Sequence, residues 1–158
     1  MGLGGSVEWL DTDFGYYALC PEPYLTDWEG TEADAVGIEY VGRVPLPDHG
    51  EVLTLGGEPS AITYLDRTMT FIRWHAADND TGLENAVERS MASDEWQDVF
   101  DIDLGGRYFL LDSAARGDEI SEADVIRVDV PPGRYRVQSL FISPSEDASF
   151  MLERLLKM

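Results

Sequence analysis

Short stretches in which apolar and polar residues alternate recur along most of the chain. The clearest lies in the C-terminal third, where Ile126, Val128 and Val130 alternate with Arg127 and Asp129. Alternation with a period of two places one set of side chains on a buried face and the other set in water. The pattern is typical of antiparallel strands with one buried face, and it predicts a chain dominated by such strands.

Turn-forming residues separate these stretches and predict how the strands connect. A Pro-Asp-His-Gly sequence at 47–50 and the pair Gly105-Gly106 each predict a hairpin. Pro131-Pro132-Gly133 predicts another, because proline presets one turn position and glycine supplies the positive φ of the next. The chain divides into about ten predicted strands, namely SVEWL, FGYYALC, GIEYVGRVPL, EVLTLGG, AITYL, MTFIRWH, VFDIDL, RYFLLDSA, VIRVDV and RYRVQSLFI.

Other segments have apolar residues at helical spacing. The segment 81–91 begins with Thr81 and Glu84, which have the spacing of a capping box, and its apolar residues share one side. Ser93 is the predicted cap of a second helical turn over residues 94–100. A C-terminal helix is predicted over residues 145–158 from a wide apolar stripe, formed by Phe150, Met151, Leu152, Leu155 and Leu156.

These elements indicate a mainly β protein of the α+β type. Short strands in this number are typical of an antiparallel β-sandwich or barrel, here with roughly two or three helical inserts that include the C-terminal helix. A chain of 158 residues has the length of one domain. At that size a chain buries about 68–70% of its unfolded surface, so we expect a single domain over residues 1–158.

The chain is strongly acidic, and this restricts the partners that it can bind. It carries 31 acidic and 11 basic residues, for a formal net charge of −20. Because like charges repel, free nucleic acids and anionic membranes are not expected as direct partners. Two explanations of the acidity stay open: adaptation of a whole proteome to salt or to a GC-rich genome, and recognition of a basic partner.

The distribution of charge along the chain favours the second explanation. No basic residue precedes Arg43, whereas nine acidic residues do. Residues 78–103 hold nine more acidic residues and a single base, Arg89. The charge is therefore uneven, which points to a basic partner rather than to uniform adaptation.

The sequence shows neither a membrane-spanning segment nor a signal peptide. No apolar run approaches the ~20 residues of a membrane span, and the N-terminus lacks the basic region and apolar stretch of a signal peptide. The single cysteine, Cys20, excludes an internal disulfide and a cysteine zinc cluster. We expect a cytoplasmic protein without a cofactor, in which Cys20 is a small buried apolar residue.

Residues 71–90 contain the best candidates for catalysis. His75 is followed by Asp78 and Asp80, which could supply an imidazole and two carboxylates to a metal ion. A small metal-dependent hydrolase is therefore one hypothesis, although a hydrolytic zinc site usually takes two or three nitrogen or sulfur ligands. The sequence has no Gly-x-Ser-x-Gly elbow and no phosphate-binding loop. We accordingly expect no enzyme activity, no catalytic residues and no resident metal.

The same stretch predicts an acidic binding surface. Its carboxylates lie before, on and after the predicted helix, which holds some of them rigidly and lowers the ordering cost of binding. Trp28 is surrounded by polar residues and is expected to be partly exposed, as an aromatic anchor for a partner. The residues predicted to contact a basic partner are Asp78, Asp80, Glu84, Glu88, Asp94, Glu95 and Trp28.

Several blocks of sequence follow one another in a characteristic order. They are residues 9–15, Pro21, the Trp28-Glu29-Gly30 step, LTLGGEPSAITYL, FIRWHAAD, RYFLLDSA and VPPGRYRV. Together they resemble the immunity protein 21 family of bacterial polymorphic-toxin systems, from about residue 7 to about residue 140. The resemblance implies a bacterial protein that neutralises a cognate toxin, for which a nuclease with a basic cleft is one candidate. A β-sandwich module that binds an unidentified ligand is the remaining alternative.

Overall fold

The computed structural model describes residues 8–11, 16–32, 41–46, 48–56 and 60–158. Within these ranges the chain forms eight β-strands and one α-helix. The strands are β1 (Tyr16–Pro21), β2 (Val41–Leu46), β3 (Gly50–Gly56), β4 (Ile62–Leu65), β5 (Thr70–Ala76), β6 (Gln97–Asp112), β7 (Ile126–Ser145) and β8 (Ala148–Lys157). Helix α1 (Leu83–Ser90) lies between β5 and β6, and short 3-10 helices occupy Glu22–Asp27 and Glu122–Asp124.

All of these strands belong to one antiparallel sheet. Their order across the sheet is β2-β3-β1-β6-β7-β8-β5-β4, so that β2 and β4 are its two edges. The mainly β class is therefore confirmed. The described strands form an open sheet rather than the predicted sandwich or closed barrel, because no ladder joins β2 to β4. The turn predicted at 47–50 does connect two paired strands, β2 and β3.

The sheet curls, and its concave face encloses the main core. Strands far apart in the sheet order meet across this face, where the Arg73 guanidinium on β5 donates a hydrogen bond to the Gly56 carbonyl on β3. Leu10 comes from the first predicted strand, whose first two residues lie outside the described ranges, and it forms an isolated bridge to Ile62. Twisted strands produce such curvature. The enclosed core includes Leu19, Leu53, Phe71, Ile102, Leu110, Tyr135, Val137 and Leu155.

The convex face carries two smaller hydrophobic clusters. In one, α1 packs on β5 and β8. In the other, Trp28 packs over β1, β2 and β3, next to the buried Cys20. Burial raises the pKa of the Cys20 thiol to about 12, and the interpretation of Cys20 as a buried apolar residue is confirmed.

The long strands β6 and β7 show that two predicted hairpins were wrong. Gly105-Gly106 does not turn the chain, because β6 runs through both residues, and Pro131-Pro132-Gly133 lies inside β7 in the same way. The two segments face each other at a bulge, where the register shifts between Leu104 and Gly106. A Cβ on Gly105 would lie 2.7 Å from the Cα of Pro132. Glycine therefore allows two bent strands to approach closely at this point.

The C-terminal segment that was predicted to be helical is the strand β8. Its apolar side chains alternate between faces, with Phe150 and Leu152 in the cluster beneath α1 and Leu155 in the concave core. Strand β8 is hydrogen-bonded on both sides, to β5 and to β7. A central strand with both faces buried has a nearly continuous apolar sequence, which spacing alone does not distinguish from a buried helix.

Helix α1 confirms the helix predicted over residues 81–91, but its first turn differs from the prediction. The N-cap is Gly82, which has a φ of 75°, and no side chain caps the first turn. The capping box expected from Thr81 is therefore wrong. Leu83, Ala86 and Val87 are the buried residues of the helix, and they lie on the side that the apolar spacing indicated. Among the described residues, no helix is long and apolar enough to cross a membrane.

The second helical turn, predicted after Ser93, is also wrong. Ser93 Oγ accepts a hydrogen bond from the Glu95 amide at 3.1 Å, and β6 already begins at Gln97. The Trp96 indole donates to the Ser90 carbonyl at 2.8 Å. Because these contacts bind the segment to the end of α1, it leads directly into the sheet without forming a further helical turn.

Candidate functional site

Helix α1 is the centre of the predicted acidic surface, and its packing decides which residues face solvent. Leu83 and Val87 pack against Ile72 of β5 and other apolar residues of the sheet. A helix buried on one side exposes the other. Glu84 and Glu88 lie on that exposed side, as the sequence predicted.

Glu84 and Glu88 line a cleft of about 400 Å³ between α1 and the edge strand β4. Two more carboxylates, of Glu8 and Asp66, line the same cleft. The one base among its described lining residues is Arg67, whose guanidinium lies 3.0 Å from the Glu88 carboxylate. Four carboxylates thus oppose a single guanidinium. A concave surface with such an excess of one charge attracts ions of the opposite sign.

The three residues considered as metal ligands have other surroundings. Asp80 accepts a hydrogen bond from the Trp9 indole at 2.9 Å. His75 Nδ1 lies 2.8 Å from Ser149 Oγ, and Asp78 is exposed to solvent. In the described parts of the chain, no three His, Cys, Asp or Glu side chains gather closely enough to hold a metal ion. The hydrolase hypothesis therefore has no assembled ligand set among these residues.

The structure divides the predicted acidic surface into two parts. Asp78 and Asp94 are exposed in the segments that precede and follow α1. Glu95 does not line the α1 cleft, but a separate hollow of about 570 Å³ that Phe141 and Met151 also line. The cleft and the hollow share no lining residue, so they are separate features of the surface.

Trp28 is not the exposed anchor that the sequence predicted. The residue is only 1% exposed, and its indole donates a hydrogen bond to the Ser113 carbonyl at 3.1 Å. Its ring packs edge-on against Tyr24 in the cluster over β1 and β2. Polar neighbours in sequence misled the prediction, because the chain that leaves the 3-10 helix folds Trp28 back onto the sheet. Trp28 is a core residue.

Most arginines are paired with carboxylates of the same chain. Seven of the ten arginines form ion pairs with described residues, namely Arg43, Arg67, Arg73, Arg116, Arg127, Arg134 and Arg136. These pairs engage a minority of the 31 acidic residues of the chain.

Comparison with known protein families identifies the family of this chain. The sequence model of immunity protein 21 matches residues 8–148. The chain belongs to the immunity protein 21 family. The resemblance found from its sequence blocks is thereby confirmed over nearly the whole chain. Comparisons with curated proteins and with solved structures give no match. Membership of the immunity protein 21 family implies an immunity protein, with a cognate toxin as its partner.

This member of the immunity protein 21 family also contains a buried ion pair that the sequence analysis missed. Arg73 Nε and Nη2 lie 2.9 and 3.0 Å from the two carboxylate oxygens of Glu153. The two residues are 7% and 1% exposed. The Ser139 hydroxyl donates to the same carboxylate at 3.5 Å. Burial raises the pKa of the Glu153 carboxyl, and the charge of Arg73 opposes this shift.

A strand assignment for the C-terminal segment would have indicated this pair. On a strand, Glu153 shares one face with Met151 and Leu155, and a carboxylate on an apolar face needs a basic partner. The helix assignment removed that indication. Through Arg73, the pair also joins β8 and β5 to Gly56 at the end of β3, so its position indicates a structural role.

Proposed function

We propose that this protein neutralises its cognate toxin by covering a basic surface of the toxin, with the α1 cleft as one contact. The observation that carries the proposal is the cleft itself, in which Glu8, Asp66, Glu84 and Glu88 oppose Arg67, the one base among its described lining residues. Family membership supplies the class of partner, and the charge of the cleft supplies the sign of the partner's surface.

Electrostatic attraction would act before the two proteins touch. Complementary fields raise association rates toward 10⁸–10⁹ M⁻¹s⁻¹ at low salt, and exposed charges act mainly on that rate. A nuclease is the toxin class that fits best, because a cleft that binds phosphates must carry positive charge. A toxin whose basic cleft is occupied by carboxylates cannot bind nucleic acid there.

Charge reversal on α1 tests this proposal. Glu84→Lys with Glu88→Lys should slow association with the toxin by roughly tenfold at low salt, and by much less at high salt, since salt screens exposed charges. The partner to use is the cognate toxin domain, which we expect to be encoded in a neighbouring gene, purified in a catalytically inactive form. Stopped-flow measurements at two salt concentrations give the rates, and thermal melting checks that the fold is intact.

The matched control reverses two carboxylates elsewhere on the surface. Asp27→Lys with Glu29→Lys changes the net charge by the same amount, on the exposed residues beside the buried Trp28. This control should retain more of the wild-type rate than the α1 variant. Equal slowing by both would show that net charge acts and the cleft does not. Wild-type protein that neither binds nor inhibits the toxin domain would overturn the proposed function.

A further inference from the structure

A second concave feature of the surface lies where β7 extends beyond β6. Strand β7 extends beyond β6 there, because the pairing of the two strands stops at Gln97 and Ser139 while β7 continues to Ser145. Among the described strands, residues 140–145 pair only with β8. The step between the strands leaves a hollow of about 570 Å³, lined by Glu95, Gln97, Ser139, Leu140, Phe141 and Met151.

Phe141 presents an exposed aromatic ring in this hollow. The residue is 48% exposed, whereas every other Phe, Tyr and Trp of the described chain is buried or half-buried. The His75 ring packs edge-on against it, with 5.2 Å between the ring centroids, and His75 is in turn held by Ser149. The ring therefore has a fixed support on one side and solvent on another, which lowers the cost of binding to it.

The chain itself shows what covers such rings. Arg43 lies over Phe100, Arg127 over Phe109 and Arg154 over Trp96, at 5.0, 5.2 and 4.2 Å from the ring centroids. Each of these guanidinium groups also donates a hydrogen bond to an oxygen atom. An aromatic ring and an oxygen acceptor are therefore the two components of an arginine site in this protein.

Phe141 and Glu95 supply both components, but the arginine is missing. The hollow is lined by one carboxylate, that of Glu95, and by no arginine or lysine of the described chain. We propose that the hollow receives an arginine side chain of the toxin. Its guanidinium stacks on Phe141 and pairs with Glu95, while its aliphatic stem lies against Met151. The inference rests on the proposed function and identifies a contact outside the α1 cleft.

The two contact points should act on different rate constants. Carboxylates in the α1 cleft attract the toxin from a distance and affect association. A stacked arginine forms contacts only after docking, so its loss should accelerate dissociation. This difference allows the hollow to be tested independently of the cleft.

Removal of the ring is the first test. Phe141→Ala should raise the dissociation rate from the inactive toxin domain by at least about tenfold, with an association rate within about twofold of wild type. Leu156→Ala is the control, because Leu156 is 42% exposed and alternates with Leu155 of the concave core. It should dissociate at the wild-type rate. Phe141→Ala that melts like wild type and also dissociates like wild type would overturn the inference.

A second pair of variants separates an arginine from an apolar side chain. Phe141→Trp keeps an aromatic ring and should dissociate from the toxin domain at close to the wild-type rate. Phe141→Leu keeps only apolar surface, so its dissociation rate should rise nearly as much as that of Phe141→Ala. If Phe141→Leu dissociates like wild type, an apolar residue of the toxin occupies the hollow.

Sedimentation of the free protein tests whether a second copy of the chain occupies the hollow instead. A wild-type dimer that becomes a monomer in Phe141→Ala would show this.

A measurement without the toxin keeps the two proposals distinguishable. Titration of the full chain with N-acetyl-arginine amide, followed by NMR, should shift the Phe141 ring and Glu95 signals with saturation in the millimolar range. N-acetyl-glutamine amide should not shift them. If the wild-type protein fails to bind the toxin but these shifts occur, the proposed function fails and the arginine site stands. If the toxin binds and neither these shifts nor the Phe141→Ala effect is seen, the arginine site fails alone.

Discussion

Arg73–Glu153 and Arg67–Glu88 are the same pair of residue types in two different environments. Their nitrogen–oxygen distances are nearly equal, at 2.9 and 3.0 Å. The side chains of the first pair are 8% and 1% exposed, and those of the second are 86% and 39% exposed. The comparison shows that geometry alone does not determine how much an ion pair contributes to stability, because water screens the exposed pair and is excluded from the buried one.

The two pairs also differ in where they lie and in what surrounds them. The buried pair links β5 and β8, and Arg73 extends this link to β3 across the concave face. Losing either partner would leave a charge in the core without compensation. The exposed pair engages one of the four carboxylates that line the α1 cleft. The first pair therefore bears on folding, and the second lies in the cleft that we propose as a toxin contact.

The largest expected effect comes from breaking the buried pair. Glu153→Ala should reduce the free energy of unfolding by about 3–5 kcal/mol, because Arg73 is left as an unpaired buried charge. Urea denaturation measures the change. The double variant Arg73→Met with Glu153→Leu removes both charges and should recover most of the loss. A single variant that costs less than about 1 kcal/mol would place this pair in the same class as exposed pairs.

Breaking the exposed pair of Arg67 and Glu88 should affect toxin association more than stability. Arg67→Gln should change the free energy of unfolding by less than about 1 kcal/mol. It should nevertheless accelerate toxin association at low salt, because the cleft loses its one described base. Arg89→Gln is the control, since it makes the same change of charge on α1 at a residue that does not line the cleft. Equal acceleration by both variants would argue against a specific role of the cleft.

The smallest expected effect concerns the half-buried pair of Arg136 and Asp101 on the sheet. A hydrogen bond from Arg136 lowers the pKa of the Asp101 carboxyl. A carboxyl with a lowered pKa stabilises the fold above its ordinary pKa, and that contribution is lost as the pH falls through the lowered value. The melting temperature of Asp101→Asn should therefore fall slightly less than that of the wild type between pH 7 and pH 3. A steeper fall in the variant would contradict the assigned direction.

Local patterns were sufficient where an element is defined by its own residues. The spacing of Leu83, Ala86 and Val87 predicted α1, and the Pro-Asp-His-Gly sequence predicted the connection of β2 to β3. The candidate surface was partly predictable for the same reason, since Glu84 and Glu88 occupy the exposed side of a recognisable helix. Charge alone did not reveal Phe141, whose exposure results from the unequal lengths of β6 and β7.

Local patterns failed where a distant part of the chain decides between two structures. Gly105-Gly106 and Pro131-Pro132-Gly133 each suit a turn, yet both lie in continuous strands because they face each other across a bulge. The apolar run of β8 suits a helix or a central strand, and pairing with β5 and β7 on both sides selects the strand. Trp28 has polar neighbours in sequence but is buried by the sheet.

The sequence by itself determined the mainly β class, the family, the acidic excess and the position of α1. Each of these depends on composition or on residues close together in the chain. Only the tertiary structure decided which charges are paired within the chain and which are exposed. Arg73 and Glu153 are 80 positions apart, and each residue alone is an ordinary charged residue. They form a buried pair because β5 and β8 pair side by side in the sheet and the enclosed face excludes water, which no local pattern encodes.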